Sequence, residues 1–149
     1  MQIIQYLHAK LTDPEAQQLS AGSAMVYSAP APDKESVNED AAALVSIEPD
    51  SMVLIVADGV GGQQAGDEAA HIAIDSIIGA IRENQENKLL RDSILDGIER
   101  ANRRILAMGK GSATTVVVAE IQQRQLRTYY VGDSLILLTG QRGRLKFQN

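Results

Sequence analysis

The chain has 149 residues, enough for one domain, 1–149, with a real core, which at 44% hydrophobic but only 3% aromatic residues is expected to be built from Ile, Leu, Val and Ala. A net charge of −5 without a basic cluster argues against nucleic acid as a partner, and the lack of cysteine excludes disulfides, thiolate zinc sites and a cysteine nucleophile. The start, MQIIQYLHAK, is too polar for a signal peptide and no apolar run approaches a membrane span, so a soluble, cytoplasmic protein is expected.

Residues 2–9 alternate weakly and suit an edge strand, and Thr12-Asp13-Pro14 suits a turn or a helix start. A second strand is expected over 21–28, AGSAMVYS, followed by a proline-bearing loop over 29–34. The polar stretch 35–40 leads into two short apolar runs, AAALVSI (41–47) and MVLIVA (52–57). The second run has no polar interruption, which reads as a strand buried on both faces. Glu48-Pro49-Asp50-Ser51 separates the runs with turn chemistry, so an antiparallel hairpin follows. Centring the turn between Pro49 and Asp50 places Asp40 opposite Gly59 and Ala41 opposite Asp58. Opposed Cβ atoms lie about 4.5–5.5 Å apart, so Glu39-Asp40 and Asp58-Gly59 reach the same end of the sheet.

At that end the apolar run stops at Asp58 and Gly59-Val60-Gly61-Gly62 reads as a turn. A buried strand that delivers a carboxylate into a glycine-rich turn ahead of a helix can build a site. Asp-Gly is also the commonest turn signal, and in that reading Asp58 simply ends a strand. Phosphate-loop and dinucleotide patterns both fail here, the first for want of Lys-Ser/Thr and the second because Gln64 stands where glycine is needed. Glu39, Asp40 and Asp58 gathered together would repel one another unless a cation sat among them. Oxygen donors without cysteine or a placed histidine point to Mg²⁺ or Mn²⁺ ahead of zinc. Against this, Glu39 and Asp40 also suit a solvated loop.

A first long helix is expected over 65–84, with Ala70, Ala73, Ile74, Ile77, Ile78 and Ile81 inward, and a second over about 88–108, with Leu90, Ile94, Ile98, Ala101 and Ile105 on one stripe. The two suit an antiparallel pair on a sheet. His71, on the first helix away from the glycine turn, suits core or surface better than a ligand role. From Ser112 the pattern becomes strands at 113–121, 126–131, 134–138 and 144–147, an antiparallel meander in which Gly132-Asp133 reads as a two-residue hairpin turn.

Four pieces stand in fixed order: Asn38-Glu39-Asp40; Val56-Ala57-Asp58-Gly59-Val60-Gly61-Gly62 with Gly66 and Ala69-Ala70 behind it; Ser112-Ala113-Thr114-Thr115; and Val131-Gly132-Asp133-Ser134. As an ordered set, with two helices between the second and third, they resemble the metal-dependent protein phosphatase family, protein phosphatase 2C, in its bacterial branch. The resemblance runs from about Ala21 to Lys146. It implies an α+β fold, an antiparallel β-sandwich flanked by an antiparallel helix pair, present here without the family's C-terminal part. It implies hydrolysis of phosphoserine or phosphothreonine by metal-activated water, with no covalent enzyme intermediate. Asp58 would bridge two Mg²⁺ or Mn²⁺ ions, the Gly59 carbonyl would ligate one, Glu39 and Asp40 would support it directly or through water, and Asp133 would help hold a further, weaker ion.

Departures carry equal information. Where relatives have a phosphate-clamping arginine, this chain has Glu35 with Lys34 adjacent, and Lys34 offers only a looser point charge. Two further aspartates of the family's second half have no counterpart, since no Asp or Glu follows Asp133. The expected function is therefore a serine/threonine phosphoprotein phosphatase whose two-metal centre this chain alone does not complete. The alternative is a non-catalytic module of the same fold that binds a phosphoprotein or regulatory partner. A plain α/β scaffold with uninvolved Asp-Gly turns is a third reading. The runs 52–57 and 134–138 are apolar on both faces, yet only two long helices are available to cover them, so self-association through bare sheet surface is expected.

Overall fold

The apolar runs on either side of Pro49-Asp50 form the centre of the molecule. A computed structural model of the chain describes residues 1–32, 37–47, 49–60, 65–83 and 89–149. In order, these are β1 (Gln2–Leu7), β2 (Glu15–Leu19), β3 (Gly22–Val26), β4 (Asp40–Ile47), β5 (Ser51–Val60), α1 (Gly66–Glu83), α2 (Leu90–Met108), β6 (Ala113–Thr114), β7 (Val116–Gln122), β8 (Gln125–Val131), β9 (Leu137–Thr139) and β10 (Leu145–Gln148). The principal sheet is antiparallel, in the order β1-β4-β5-β7-β8, with β6 paired to the end of β5. Two separate ribbons, β2–β3 and β9–β10, complete the described strands.

One sheet face packs on the helices. Ala43, Val45, Val53, Ile55, Ala57, Val116 and Val118 meet the apolar stripe of α1 and Ile94 and Ala101 of α2. Every inward position expected on α1, from Ala70 to Ile81, is buried. The helices run antiparallel, with Arg100 bonded to Glu83 and Arg104 to Ser76. They close tightly at Gly97, where a Cβ would lie 2.5 Å from the Ile77 Cα. The opposite face has a smaller core, in which Leu19 of the β2–β3 ribbon covers Tyr6, Leu44 and Met52. Among the described residues no helix is long and apolar enough to cross a membrane.

The structure corrects several expectations. The β4–β5 connection has three residues, because Ser51 joins the strand and pairs with Ile47. An odd loop shifts the register by one, so Asp40 stands opposite Asp58 rather than Gly59. β5 does not stop at Asp58; it continues to Val60, held by β6 through Gly59↔Thr114 and Val60↔Ala113. Nor is it buried on both faces throughout. Val56 is 45% and Val60 57% exposed, since the β2–β3 ribbon covers only the earlier part of the strand. The ribbon's first strand, EAQQL, falls after the Thr12–Pro14 bend where no strand was expected, because its polar residues hide the alternation.

The meander also ends early. The run 113–121 breaks at Thr115, and Gly132-Asp133 is a bend at Gly132 φ +96° rather than a hairpin turn. β8 therefore does not pair with β9. Leu137 and Leu138 of β9 are exposed, so the 134–138 run is not buried on both faces. The β7–β8 turn does close tightly, with Gln123 and Arg124 both at positive φ, 51° and 64°, as a two-residue turn between twisted strands demands.

Candidate metal centre

β4 begins where β5 nears its end, and the two strands set the acids. Asp40 and Asp58 are directly opposed, and opposed residues of an antiparallel pair share a face. Partial burial, then the charge of Asp58 and a hydrogen bond to it, then the charge of Glu39, push the Asp40 carboxyl above the usual range.

Backbone contacts fix the frame. The Gly59 N–H donates to the Glu39 carbonyl at 3.2 Å. A Cβ on Gly59 would lie 2.1 Å from the Gly66 carbonyl oxygen, so only glycine lets the strand end touch the start of α1. A Cβ on Gly66 would in turn lie 2.9 Å from Glu39 Oε1. The approach to Glu39-Asp40 is steered by Asn38, which is 3% exposed. Its amide donates to the Ala9 carbonyl and to Ser28 Oγ, both at 2.9 Å, while its Oδ1 accepts from the Asp40 N–H at 3.1 Å. Asn38 stands in the Asn38-Glu39-Asp40 piece of the sequence pattern, but its hydrogen-bonding task could not be read from sequence.

On the other side, Thr114 and Thr115 hold the Asp58 peptide. Thr115 N–H donates to the Asp58 carbonyl at 2.9 Å, Thr114 Oγ1 donates to the same oxygen at 3.0 Å, and the Asp58 N–H donates to Thr115 Oγ1 at 3.1 Å. Thr115 Oγ1 also shares a 2.6 Å hydrogen bond with Ser134 Oγ. Asp133 is exposed, on a bend whose neighbouring residues rest against Thr115. Lys34, with Glu35, and Gly61-Gly62 lie outside the described residues.

Among the described residues no three His, Cys, Asp or Glu side chains are already arranged to grip a metal ion. The donors that do converge are all oxygen, and partial burial first and the neighbouring acids next push the Asp40 carboxyl above the usual range. That chemistry fits a hard divalent cation, which would relieve the repulsion.

The family model for Protein phosphatase 2C matches residues 31–147. The chain belongs to the protein phosphatase 2C family. Among solved structures it is similar to the PPM Ser-Thr phosphatase MsPP from Mycobacterium smegmatis, with TM-score 0.60 and 19% identity over 93% of this chain and 54% of that one. It is similar to the serine/threonine phosphatase PstP/Ppp of Mycobacterium tuberculosis, with TM-score 0.57 and 19% identity over 97% of this chain and 52% of that one. It also resembles serine-threonine phosphatase 2C from Toxoplasma gondii, with TM-score 0.58 and 16% identity over 91% and 52% of the two chains. A comparison with curated proteins gives no match. The chain spans about half the length of these structures and has the corresponding part of the protein phosphatase 2C fold, an antiparallel sheet with two helices on one face.

Proposed function

We propose that these residues form the Asp58 side of a metal-dependent centre that hydrolyses phosphoserine or phosphothreonine in a phosphoprotein. The observation that carries this reading is the opposition of Asp40 and Asp58 across β4–β5, with Glu39 beside them. Asp58 and the Gly59 carbonyl would hold Mg²⁺ or Mn²⁺, with Glu39 and Asp40 in support and Asp133 beside a further, weaker ion. Such an ion, when bound, supplies charge neutralisation at the phosphoryl group and an activated water. The chain's own residues fix the acids on a rigid strand pair. Lys34 would meet the substrate phosphate as a point charge. The proteins named above are serine/threonine phosphatases, and that substrate class is proposed for this chain by likeness of fold.

A second reading is a non-catalytic module that binds a phosphoprotein or a regulatory partner. It is favoured by one observation: no Asp or Glu follows Asp133, so these 149 residues offer few carboxylates for a second ion. Calorimetric titration with Mn²⁺, alongside turnover of a phosphothreonine peptide, separates the two. Binding with turnover supports the first reading and binding without turnover the second. Absence of binding that Asp58→Asn could weaken overturns the metal reading itself.

A further inference from the structure

The register that pairs Val56 with Val117 and Gly59 with Thr114 sets Asp58 opposite Thr115. In an unbroken antiparallel ladder, a hydrogen-bonded pair exchanges two N–H···O=C bonds. Here only one of them forms, from Thr115 N–H to the Asp58 carbonyl at 2.9 Å. The Asp58 N–H turns instead to the Thr115 hydroxyl at 3.1 Å. A side-chain oxygen has replaced a backbone oxygen in the ladder at the residue that carries the central acid.

The same hydroxyl reaches the second acidic segment. Thr115 Oγ1 meets Ser134 Oγ at 2.6 Å. Gly132, at φ +96°, lies so close that a Cβ would come within 2.8 Å of Thr115 Cγ2. Thr115 itself is buried, and both bonds of its hydroxyl are partly shielded from solvent. One hydroxyl thus moors the bend that presents Asp133 to the peptide that presents Asp58.

We infer that Thr115 is a positioning residue, which fixes the aim of Asp58 and couples it to the Gly132–Ser134 bend. For its effect on metal affinity this rests on the reading of Asp58 as a ligand; the coupling of the two segments does not. Outer partners of metal ligands are worth about tenfold or more in affinity when removed. Valine matches the shape of threonine but lacks the hydroxyl, whereas serine keeps it.

The test measures amide hydrogen exchange over 132–134 and at Asp58 in the metal-free chain, and Mn²⁺ affinity by calorimetry, for Thr115→Val, Thr115→Ser, Ser134→Ala and Asp58→Asn. Thr115→Val is expected to speed exchange at the bend and to weaken Mn²⁺ binding about tenfold, with Thr115→Ser restoring both. Ser134→Ala is expected to free the bend and to add little when combined with Thr115→Val, since both cut one link. Exchange at the bend left unchanged by both Thr115→Val and Ser134→Ala overturns the coupling. Affinity unchanged by Thr115→Val, while Asp58→Asn abolishes it, overturns the positioning role but leaves the metal reading intact. If the unmodified chain binds no Mn²⁺, the metal reading and the affinity role fall together, and the exchange data still decide the coupling.

Discussion

Asp40 and Asp58 face each other across the central strand pair, and Asp40 keeps its proton to higher pH than an ordinary aspartate, through partial burial first and the Asp58 charge next. The folded chain without metal therefore carries a local repulsion. Asp58→Asn is expected to stabilise the metal-free chain by about 0.5 kcal/mol after allowance for solvent screening, and so to raise its melting temperature slightly. The same change is expected to shrink any Mn²⁺-induced rise in melting temperature. Scanning calorimetry with chelator and with Mn²⁺ checks both halves, and a metal-free Asp58→Asn chain that melts lower counts against the repulsion.

Turnover by the 149 residues alone is expected to be slight or nil. Mg²⁺ sheds water reluctantly for a sparse ligand set, and a two-metal mechanism needs its second ion to balance charge on the phosphoryl group. The assay is hydrolysis of an aryl phosphate or a phosphothreonine peptide with and without Mn²⁺. Robust turnover abolished by Asp58→Asn would show that ligands reach the centre from outside one copy of these residues.

Gly59→Ala is expected to be severe. Its Cβ would fall 2.1 Å from the Gly66 carbonyl oxygen, and neither partner is a side chain that can swing away. Forcing β5 from α1 at a packed contact costs about 3 kcal/mol. Gly109→Ala makes a useful contrast, since it meets nothing within 4 Å and suffers only from its φ of +65°. Urea unfolding followed by circular dichroism should rank Gly59→Ala well below Gly109→Ala.

Alkaline stability should report the hydrogen-bonded trio of Glu120, Arg127 and Tyr129, in which Glu120 alone is buried. Glu120, 2% exposed, accepts from Arg127 at 2.8 Å and from the Tyr129 hydroxyl. Burial, then donation to Glu120, push the Tyr129 hydroxyl from 10.0 up to about 12. The unfolded chain releases this proton near pH 10 while the folded chain retains it, so the contribution is complete below pH 10 and is lost as pH climbs toward 12. Tyr129→Phe should be less stable at pH 8 by about 1 kcal/mol, from the lost hydrogen bond, and show a flatter decline above pH 10. Urea midpoints at pH 8, 10 and 11 measure this.

Self-association is expected through the sheet face away from the helices. Val56 and Tyr130 share that face through the partners Val56↔Val117 and Val117↔Tyr130, and are 45% and 54% exposed. Beside them an apolar groove of about 240 Å³ opens between β3 and the sheet, lined by Val26, Ala42, Leu54 and Val56 among others. Sedimentation velocity should show a concentration-dependent rise in mass, reduced in Val56→Thr. A constant monomer over a wide concentration range would remove this expectation.

What the sequence disclosed follows from the strength of each local signal. The stripe from Ala70 to Ile81 recurs at helical spacing, and α1 formed where that spacing placed it. The 41–47 and 52–57 runs paired because turn residues separate them, but their register depended on whether Ser51 belongs to loop or strand, which composition does not encode. β2 escaped notice because Gln17 and Gln18 carry no apolar alternation; its pairing with β3 and the burial of Leu19 under the sheet make it a strand. At the candidate site, the nearness of Asp40 to Asp58 at one end of the hairpin was legible from turn geometry to within one residue. The tasks of Asn38 and Thr115 were not, because they consist of hydrogen bonds to backbone atoms 29 and 57 residues distant in the chain.

Alternation along β5 makes the aspect of Asp58 a question of parity. Ile55, Ala57 and Gly59 point to the helices, while Val56, Asp58 and Val60 point away. One residue inserted between Ser51 and Ala57 would turn the acid toward the helix side of the sheet, and a second insertion would bring it back. Neither change would alter the Asp-Gly string itself. Two chains with the same motif can thus differ in whether the carboxylate ever meets water, according to an odd or even count from the turn.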